Sequence, residues 1–155
     1  MRENLRSILI LYKMINYRKT VIICLINKDK KILLHLRDDK PEISYPNYWG
    51  LVGGVVDGVE NEEDAIKREM KEEIGYEAKN INFIGKIYAL KNNLIKHNDE
   101  VFIFKGLINI PANLIHLTEG QKVQFFKFDE IEKLKIIEPI KKFIIHNKER
   151  IFIYK

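Results

Sequence analysis

Residues 54–76 read GVVDGVENEEDAIKREMKEEIGY, and this stretch decides how the rest of the sequence is interpreted. Asn61 is a residue type favoured as an N-cap, because its side-chain oxygen can accept a hydrogen bond from the first turn of a helix. Gly75 is the residue type that most often follows the end of a helix, since it adopts a left-handed conformation at little steric cost. The stretch therefore predicts a helix over residues 62–74.

The predicted helix has an apolar side and an acidic edge. At about 100° per residue, Glu69, Glu72 and Glu73 share one face. Beside them runs an apolar stripe that can pack against a sheet, formed by Ile66, Met70 and Ile74. Clustered carboxylates repel one another, and a hard, oxygen-preferring cation such as Mg²⁺ or Mn²⁺ would relieve that repulsion. Acidic faces are also common on ordinary solvated helices, so the helix alone leaves both interpretations open.

Glycines are concentrated just before this helix. Four of the eight glycines of the chain fall within nine residues: Gly50, Gly53, Gly54 and Gly58. Glycines leave backbone carbonyl and amide groups unshielded, and such groups can bind Mg²⁺ or phosphate. A glycine pair more often marks an ordinary turn. Its fixed distance from an acidic helix favours a site for a cation and an anion.

Strands are predicted on both sides of the helix. Apolar and β-branched runs predict them at residues 20–26, 31–37, 81–90, 101–108 and 123–128, with the first two forming a hairpin. Further helices are predicted near residues 128–134 and 139–146, and residues 1–16 are either a short helix or an extended lead-in. The chain has no repeat or linker, which predicts a single domain over residues 1–155. This mixture predicts an α/β sandwich with a mixed sheet.

Composition narrows the class of protein. The 155 residues are 46% hydrophobic and 32% charged, and no apolar run is long enough for a membrane span. The single cysteine, Cys24, excludes an internal disulfide framework, so we expect a cytoplasmic protein. Residues 57–73 carry a net charge of −5 in a chain of net charge +5. The basic remainder is either a solvated Lys-rich surface or a surround that attracts anionic small molecules to the acidic stretch.

The spacing of these residues resembles a known family signature. Gly54 is followed after five residues by Glu60, and after seven more by REMKEEIG at residues 68–75. The block resembles the Nudix box, the signature of the Nudix hydrolase family, and the sequence from Tyr17 to Leu134 is similar to that family. The resemblance implies a Nudix-type α/β/α sandwich with a mixed β-sheet. It also implies an enzyme that uses Mg²⁺ or Mn²⁺ to hydrolyse a pyrophosphate bond in a nucleoside diphosphate derivative.

The resemblance also implies roles for the residues at matching positions. The metal ligands would be the carbonyl oxygen of Gly53 and the carboxylates of Glu69, Glu72 and Glu73. Arg68 would hold Glu69 in place through a salt bridge. Glu60 would act through the hydration shell of the metal or at the start of the helix.

The general base is left open, because it varies within the family. Glu69 is the first candidate, and the alternatives outside the box are Glu100 and Glu119. Arg37 and the aromatic segment from Tyr45 to Trp49 are candidates for substrate contacts. Core packing would explain the aromatic residues equally well.

More than one function is compatible with the sequence. Hydrolysis of a nucleoside triphosphate or a nucleotide sugar is favoured, with a small nucleotide as the partner and no membrane. One alternative is a non-catalytic Nudix domain that senses a nucleotide or RNA, which the intact carboxylates disfavour. Another is hydrolysis at RNA 5′ ends, but no basic patch interleaved with aromatic residues is visible, so nucleic acid is not an expected partner. Homodimerisation, which is common in the family, is left open.

Overall fold

A mixed sheet of seven strands forms the centre of the protein, whose computed structural model describes residues 2–153. The strands are β1 (Arg18–Ile26), β2 (Ile32–Leu36), β3 (Trp49–Gly50), β4 (Val52–Val55), β5 (Lys79–Ala89), β6 (Asp99–Leu107) and β7 (Lys122–Phe126). The helices are α1 (Arg2–Met14), α2 (Glu62–Ile74), α3 (Phe128–Ile131), α4 (Glu138–His146) and α5 (Lys148–Phe152), with a 3₁₀ turn at Ala112–Leu114. Three positions of the predicted 1–155 domain, Met1, Tyr154 and Lys155, lie outside the described residues.

Strand β1 organises the sheet. It runs parallel to β6, and β6 runs antiparallel to β5. On its other edge, β1 pairs antiparallel with β4 through residues 20–23 and with β2 at Ile26, which lies opposite Ile32. Strands β3 and β7 both pair antiparallel with β2. The predicted hairpin and the predicted mixed sheet are therefore both confirmed.

The two faces of the sheet carry separate layers of helices. Successive residues of a strand point to opposite sides, so Val21 and Ile23 of β1 face α2 while Ile22 and Cys24 face the other layer. The apolar stripe of α2 is buried against the first face, as its fourfold spacing predicted. The second face packs with buried side chains of α4 and α5. Helices on both sides of a mixed sheet confirm the predicted α/β/α sandwich.

Helix α2 has the predicted ends. The side-chain oxygen of Asn61 accepts a hydrogen bond from the backbone N–H of Asp64 at 2.9 Å. Gly75 adopts the left-handed conformation with φ of 62°, and its N–H donates to carbonyl oxygens of the last turn. These caps satisfy backbone groups that a helix end would otherwise leave unpaired. The helix predicted over residues 62–74 is confirmed.

The N-terminal segment is a helix, so the first of its two predicted alternatives is confirmed for residues 2–14. The side chains from Asn4 to Leu11 are all exposed, and the helix leads through a short connection into β1. None of the helices within residues 2–153 combines the length and apolar character needed to cross a membrane.

Candidate active site

A cleft with a volume of 540 Å³ lies on the sheet where β1, β4 and β6 meet. Its floor is apolar and includes Ile22, Leu51, Ile87, Val101 and Ile140. Charged side chains from α2, from the residue directly after β2 and from the loop before β7 also line it. An apolar cleft with a few convergent charged groups is typical of a site for a small molecule.

Glu69 reaches the cleft past Gly54, which has no side chain. A Cβ atom at position 54 would lie 2.4 Å from the carboxylate carbon of Glu69, far inside van der Waals contact. A Cβ atom at Gly53 would lie 1.9 Å from the carbonyl oxygen of Val21 in the neighbouring strand. The two glycines therefore let the acidic edge of α2 and the backbone of β1 approach β4 closely. This explains in physical terms why the glycine pair stands at a fixed distance from the acidic helix.

Glu73 is buried beside Glu69, with 8% of its surface exposed. Burial raises the pKa of Glu73 to about 8, and the negative charges of Glu119 and Glu69 add to the shift. Its Oε2 atom is buried and has no hydrogen-bond partner. A buried oxygen without a partner is costly, and a divalent cation would provide that partner. The carboxylate oxygens present therefore fit the predicted Mg²⁺ or Mn²⁺.

Arg68 ties the acidic side chains together. Its guanidinium donates to Glu60 at 2.6 and 3.2 Å, to Glu69 at 2.7 Å and to Glu72 at 3.1 Å. Another N–H donates to the carbonyl oxygen of Val55 at 2.9 Å. The hydrogen bond to Glu60, followed by that to Glu69, holds the pKa of Arg68 above its ordinary value. The salt bridge expected between Arg68 and Glu69 is present, and it orients the Glu69 carboxylate at the cleft.

Glu72 differs from the other two glutamates. Its side chain is 59% exposed and does not line the cleft, because it lies about 100° around the helix from Glu73. Within residues 2–153, no three His, Cys, Asp or Glu side chains are already arranged to hold a metal ion. The three glutamates predicted to share one face therefore do not converge on one point. Glu69 and Glu73 enter the cleft, while Glu72 pairs with Arg68 beside it.

A loop of residues 118–121 carries Glu119 to the cleft. At one end, Thr118 donates its backbone N–H to the carbonyl oxygen of Glu73 at 3.0 Å. At the other end, the backbone N–H of Gln121 donates to the carbonyl oxygen of the last residue of β2 at 2.8 Å. The 118–121 loop thus bridges α2 and β2, which brings the charge of Glu119 close enough to raise the pKa of Glu73.

His35 packs beneath the 118–121 loop and is 5% exposed. Burial lowers the pKa of His35, so the imidazole is neutral at pH 7. Gly120 has a φ of 86°, and a Cβ atom there would fall on the Nε2 atom of His35. Only glycine meets both demands at position 120, a left-handed backbone and close approach to a buried ring.

Arg37 and Tyr45, both predicted to contact substrate, line the cleft. Arg37 is half-buried directly after β2, and its Nε donates to the carbonyl oxygen of Ser44 at 2.8 Å. Burial lowers the pKa of Arg37, although not enough to remove its charge at neutral pH. At the rim, Arg18 makes two hydrogen bonds to the carboxylate of Asp99 at 2.8 and 3.1 Å.

Three other residues predicted for the site do not line the cleft. Glu100 accepts a hydrogen bond from Lys86 at 2.8 Å on the face of β6 that points away from the cleft. Trp49 packs edge-on against Phe126 with 4.9 Å between ring centroids, so it contributes to the core. The carboxylate of Glu60 lies just before the start of α2 and accepts two hydrogen bonds from Arg68.

Sequence reasoning missed several residues of the site: Arg18, His35, Lys96, His97, Asp99 and Thr118. No local pattern marks them, because each comes to the cleft through strand pairing or a loop contact. Arg18 and Asp99, for example, are 81 positions apart in the chain. Gly120 was a usable signal, because glycine is the residue that a left-handed backbone or a close backbone approach requires.

The family of the protein follows from its sequence as a whole. A family model described as the NUDIX domain matches residues 16–146. The chain belongs to the Nudix family. The match contains the whole sheet and α2 to α4, while α1 lies outside it. The family predicted from residues 54–76 is confirmed, and with it the expectation of a hydrolase. No curated protein matches the chain.

Solved structures share this Nudix fold at low sequence identity. The MutT protein from Methanosarcina mazei Go1 is 17% identical with a TM-score of 0.76, over 88% of this chain and 96% of that chain. The NUDIX domain of Shewanella oneidensis NrtR, solved in complex with ADP ribose, is 18% identical with a TM-score of 0.71, over 90% and 91%. The Ap4A hydrolase of C. elegans is 15% identical with a TM-score of 0.65, over 87% and 98%. At these identities the likeness is one of fold.

Proposed function

We propose that this Nudix domain hydrolyses a pyrophosphate bond in a small nucleoside diphosphate derivative, such as a nucleoside triphosphate or a nucleotide sugar. Mg²⁺ or Mn²⁺ is the proposed cofactor. The observation that supports this is the convergence of Glu69 and Glu73 with the glycine turn in a cleft that has an apolar floor. The acidic part of the cleft suits a cation, and the apolar part suits a nucleobase or a sugar ring.

The ligands of the cation would come from α2 and β4. Glu69, Glu73 and Gly53 line the cleft, and Gly53 would contribute its carbonyl oxygen. Glu72 is the further expected ligand beside the cleft. When bound, the cation would neutralise the negative charge of the phosphates and lower the pKa of the attacking water. Arg68 keeps the Glu69 carboxylate at the cleft through their 2.7 Å hydrogen bond.

Glu119 is the proposed general base. A base must come within hydrogen-bond reach of the water that attacks phosphorus, directly or through a second water. Glu119 lines the cleft on a loop that is held by hydrogen bonds at both ends. Glu69 also lines the cleft, but its carboxylate already accepts a hydrogen bond from Arg68, which favours Glu119 as the base. Glu100 points to the other face of the sheet, which disfavours it.

The proposed phosphate contacts are the cations that line the cleft. Arg37 is half-buried, so its interaction with an anion is less screened by water than that of a surface lysine. Lys96 stands at the same cleft. Together they would hold the anionic substrate while its base or sugar rests on the apolar floor.

The test is a substrate panel run with Mg²⁺, with Mn²⁺ and with EDTA. It contains nucleoside triphosphates, nucleotide sugars, ADP ribose, diadenosine tetraphosphate and a 5′-triphosphorylated oligoribonucleotide. We expect metal-dependent turnover of one class of small nucleotide, with oxygen from ¹⁸O-labelled water recovered in a phosphate product. Turnover of none of these compounds would overturn the proposal.

Matched variants separate the roles on α2. Glu69→Gln, Glu72→Gln and Glu73→Gln should each lower turnover at saturating metal, and Glu119→Gln should lower kcat with little change in metal affinity. Glu63→Gln is the control, because Glu63 is an exposed carboxylate of the same helix that pairs only with Lys67 at 2.7 Å in the described contacts. Full activity in Glu72→Gln and Glu73→Gln would contradict the proposed catalytic role of these carboxylates.

A nucleotide sensor is the second candidate. The solved complex of the NrtR NUDIX domain with ADP ribose favours it, because that domain shares the fold with a TM-score of 0.71. Equilibrium binding of ADP ribose without turnover, in the presence of either metal, would favour the sensor over the enzyme. Binding of the oligoribonucleotide with a steep salt dependence would instead favour an RNA function.

A further inference from the structure

Two loops meet along one side of the cleft. The 38–48 loop lies between β2 and β3, and the 90–98 loop joins β5 to β6. Residues 42–45 of the first loop and residues 95–97 of the second line the cleft. Each loop carries a side chain proposed to contact the substrate, Tyr45 in the first and Lys96 in the second. The position of one loop relative to the other therefore matters for substrate binding.

Ser44 is the residue at which the two loops are joined. Its hydroxyl oxygen accepts a hydrogen bond from the backbone N–H of Lys96 at 2.9 Å, across 52 positions of the chain. Its carbonyl oxygen accepts a hydrogen bond from the Nε atom of Arg37 at 2.8 Å. One serine thus holds both cations that are proposed to bind phosphate, the first through its side chain and the second through its backbone.

A second hydrogen bond joins the loops one residue further along the chain. The backbone N–H of Tyr45 donates to the carbonyl oxygen of Leu94 at 3.0 Å. Ile95, which precedes Lys96, is only 5% exposed and anchors the 90–98 loop in the protein at this point. A loop held by packing and by hydrogen bonds presents its side chains in a defined position.

Tyr45 has a strained backbone beside this junction. Its φ is 50°, in the left-handed region that a bulky side chain rarely occupies. Such a conformation persists only where surrounding contacts hold it, and it is most often found at functional sites. The ring of Tyr45 packs edge-on against that of Tyr48, with 5.1 Å between centroids. The hydrogen bond to the 90–98 loop is a further contact that holds Tyr45, so the junction shapes this wall of the cleft.

We propose that Ser44 is a positioning residue for substrate binding: its hydroxyl holds the 90–98 loop so that Lys96 and Arg37 bind the phosphates of one substrate together. Ser44 acts through the backbone of the loop that carries Lys96, so it does not have to touch the substrate itself. This inference rests on the proposed function, because it assigns a task within the same cleft.

The expected effect of the Ser44 hydroxyl is on binding rather than on the chemical step. Ordering a loop when a ligand binds costs free energy, and a loop that is already ordered avoids that cost. The groups proposed to bind the metal and to accept the proton lie elsewhere, on β4, on α2 and in the 118–121 loop. Loss of the hydroxyl should therefore weaken substrate binding and leave the chemical step nearly unchanged.

Ser44→Ala tests the assignment, because it removes the hydroxyl and keeps the carbonyl oxygen that Arg37 uses. On a compound that the wild type hydrolyses, KM should rise about threefold to tenfold, which corresponds to one lost hydrogen bond, and kcat should stay within about twofold. Ser44→Thr keeps a hydroxyl and should restore most of the affinity. Asn82→Ala is the control, since it removes a 2.8 Å side-chain hydrogen bond to a backbone carbonyl at a position that does not line the cleft.

A double-mutant cycle with Lys96→Ala tests the path of the effect. Lys96→Ala alone should also raise KM, because it removes a proposed phosphate contact. If Ser44 acts by positioning Lys96, Ser44→Ala should change KM by less than about twofold once the lysine side chain is absent. Two effects that multiply in full would show that the hydroxyl acts elsewhere, and would overturn the proposal.

Hydrogen exchange at the backbone amide of Lys96 gives a readout that needs no substrate. This amide should exchange about tenfold faster in Ser44→Ala than in the wild type or in Ser44→Thr, because its acceptor is lost. Unchanged exchange, an unchanged KM, or equal losses in the alanine and threonine variants would each contradict the role of Ser44. Failure of the proposed function is distinct from these results, because the wild type itself would then hydrolyse none of the compounds.

Discussion

Thr118 donates its backbone N–H to the carbonyl oxygen of Glu73 at 3.0 Å, and its hydroxyl donates to the neighbouring carbonyl oxygen of Glu72 at 2.7 Å. The last carbonyl groups of a helix have no partner within the helix, so these bonds satisfy two of them. The end of α2 is thereby joined to the 118–121 loop. The hydrogen bonds of Thr118 therefore position two parts of the site together: α2, which carries the proposed metal ligands, and the loop that carries Glu119, the proposed general base.

Thr118→Val should reduce kcat by up to about a hundredfold with little change in KM, because a displaced base costs transition-state geometry more than substrate binding. Thr118→Ser keeps the hydroxyl and should restore most of the activity. The measurement is kcat and KM of both variants beside those of the wild type and of Glu119→Gln. Equal losses in the valine and serine variants would show that the hydroxyl is not the cause.

Gly54→Ala should abolish most of the activity, because the added Cβ would lie 2.4 Å from the Glu69 carboxylate carbon and must displace it. Gly58→Ala is the matched control. Gly58 has a φ of 44° with open space around it, so alanine there should cost about 1 kcal/mol of stability and leave the site intact. Thermal unfolding and turnover are measured for both. Full activity of Gly54→Ala would contradict the close approach.

Arg68→Lys should weaken metal binding by about tenfold to a hundredfold, as is usual when a group that orients a ligand is lost. Lysine keeps the charge but cannot donate to Glu60, Glu69 and the carbonyl oxygen of Val55 at the same time. Titration of turnover with Mg²⁺ gives the apparent affinity. Lys71→Arg, on the exposed side of the same helix, should leave that affinity unchanged. An unchanged affinity in Arg68→Lys would remove the orienting role.

Glu73→Gln should stabilise the metal-free protein at pH 8 and have little effect near pH 4.5. The pKa of Glu73 is raised from 4.5 to about 8, so the folded state holds a proton that the unfolded state has lost across this range. The free energy of unfolding of the wild type therefore falls as the pH rises from about 4.5 to about 8. Melting temperatures in EDTA test this. Mg²⁺ should then raise the melting temperature of the wild type at pH 8 more than that of Glu73→Gln.

The sequence predicted α2 to the residue, because its signals are local. Asn61 and Gly75 cap the helix through contacts with its own backbone, and the apolar stripe repeats every fourth residue. The same pattern could not separate Glu72 from Glu73. Their different exposure depends on where the sheet and Arg68 lie, and the helical periodicity of the sequence gives the position of neither.

The candidates outside the box show a related limit. In the sequence alone, Glu100 and Glu119 were equal candidates for a general base outside residues 54–76. Side chains alternate between the two faces of β6, which turns Glu100 away from the cleft. The backbone hydrogen bonds of Thr118 and Gln121 hold Glu119 within it. Trp49 and Tyr45 were likewise equal candidates, and only packing against Phe126 assigns the tryptophan to the core.

By itself, the sequence determined the family, the helix α2 with its caps, the mixed sheet and the need for glycine beside the acidic edge. These depend on contacts within a few residues or on fixed spacing along one segment. The tertiary structure alone decided which carboxylates enter the cleft and which cations face them. Those properties depend on distances between residues far apart in the chain, and only strand pairing and packing set such distances.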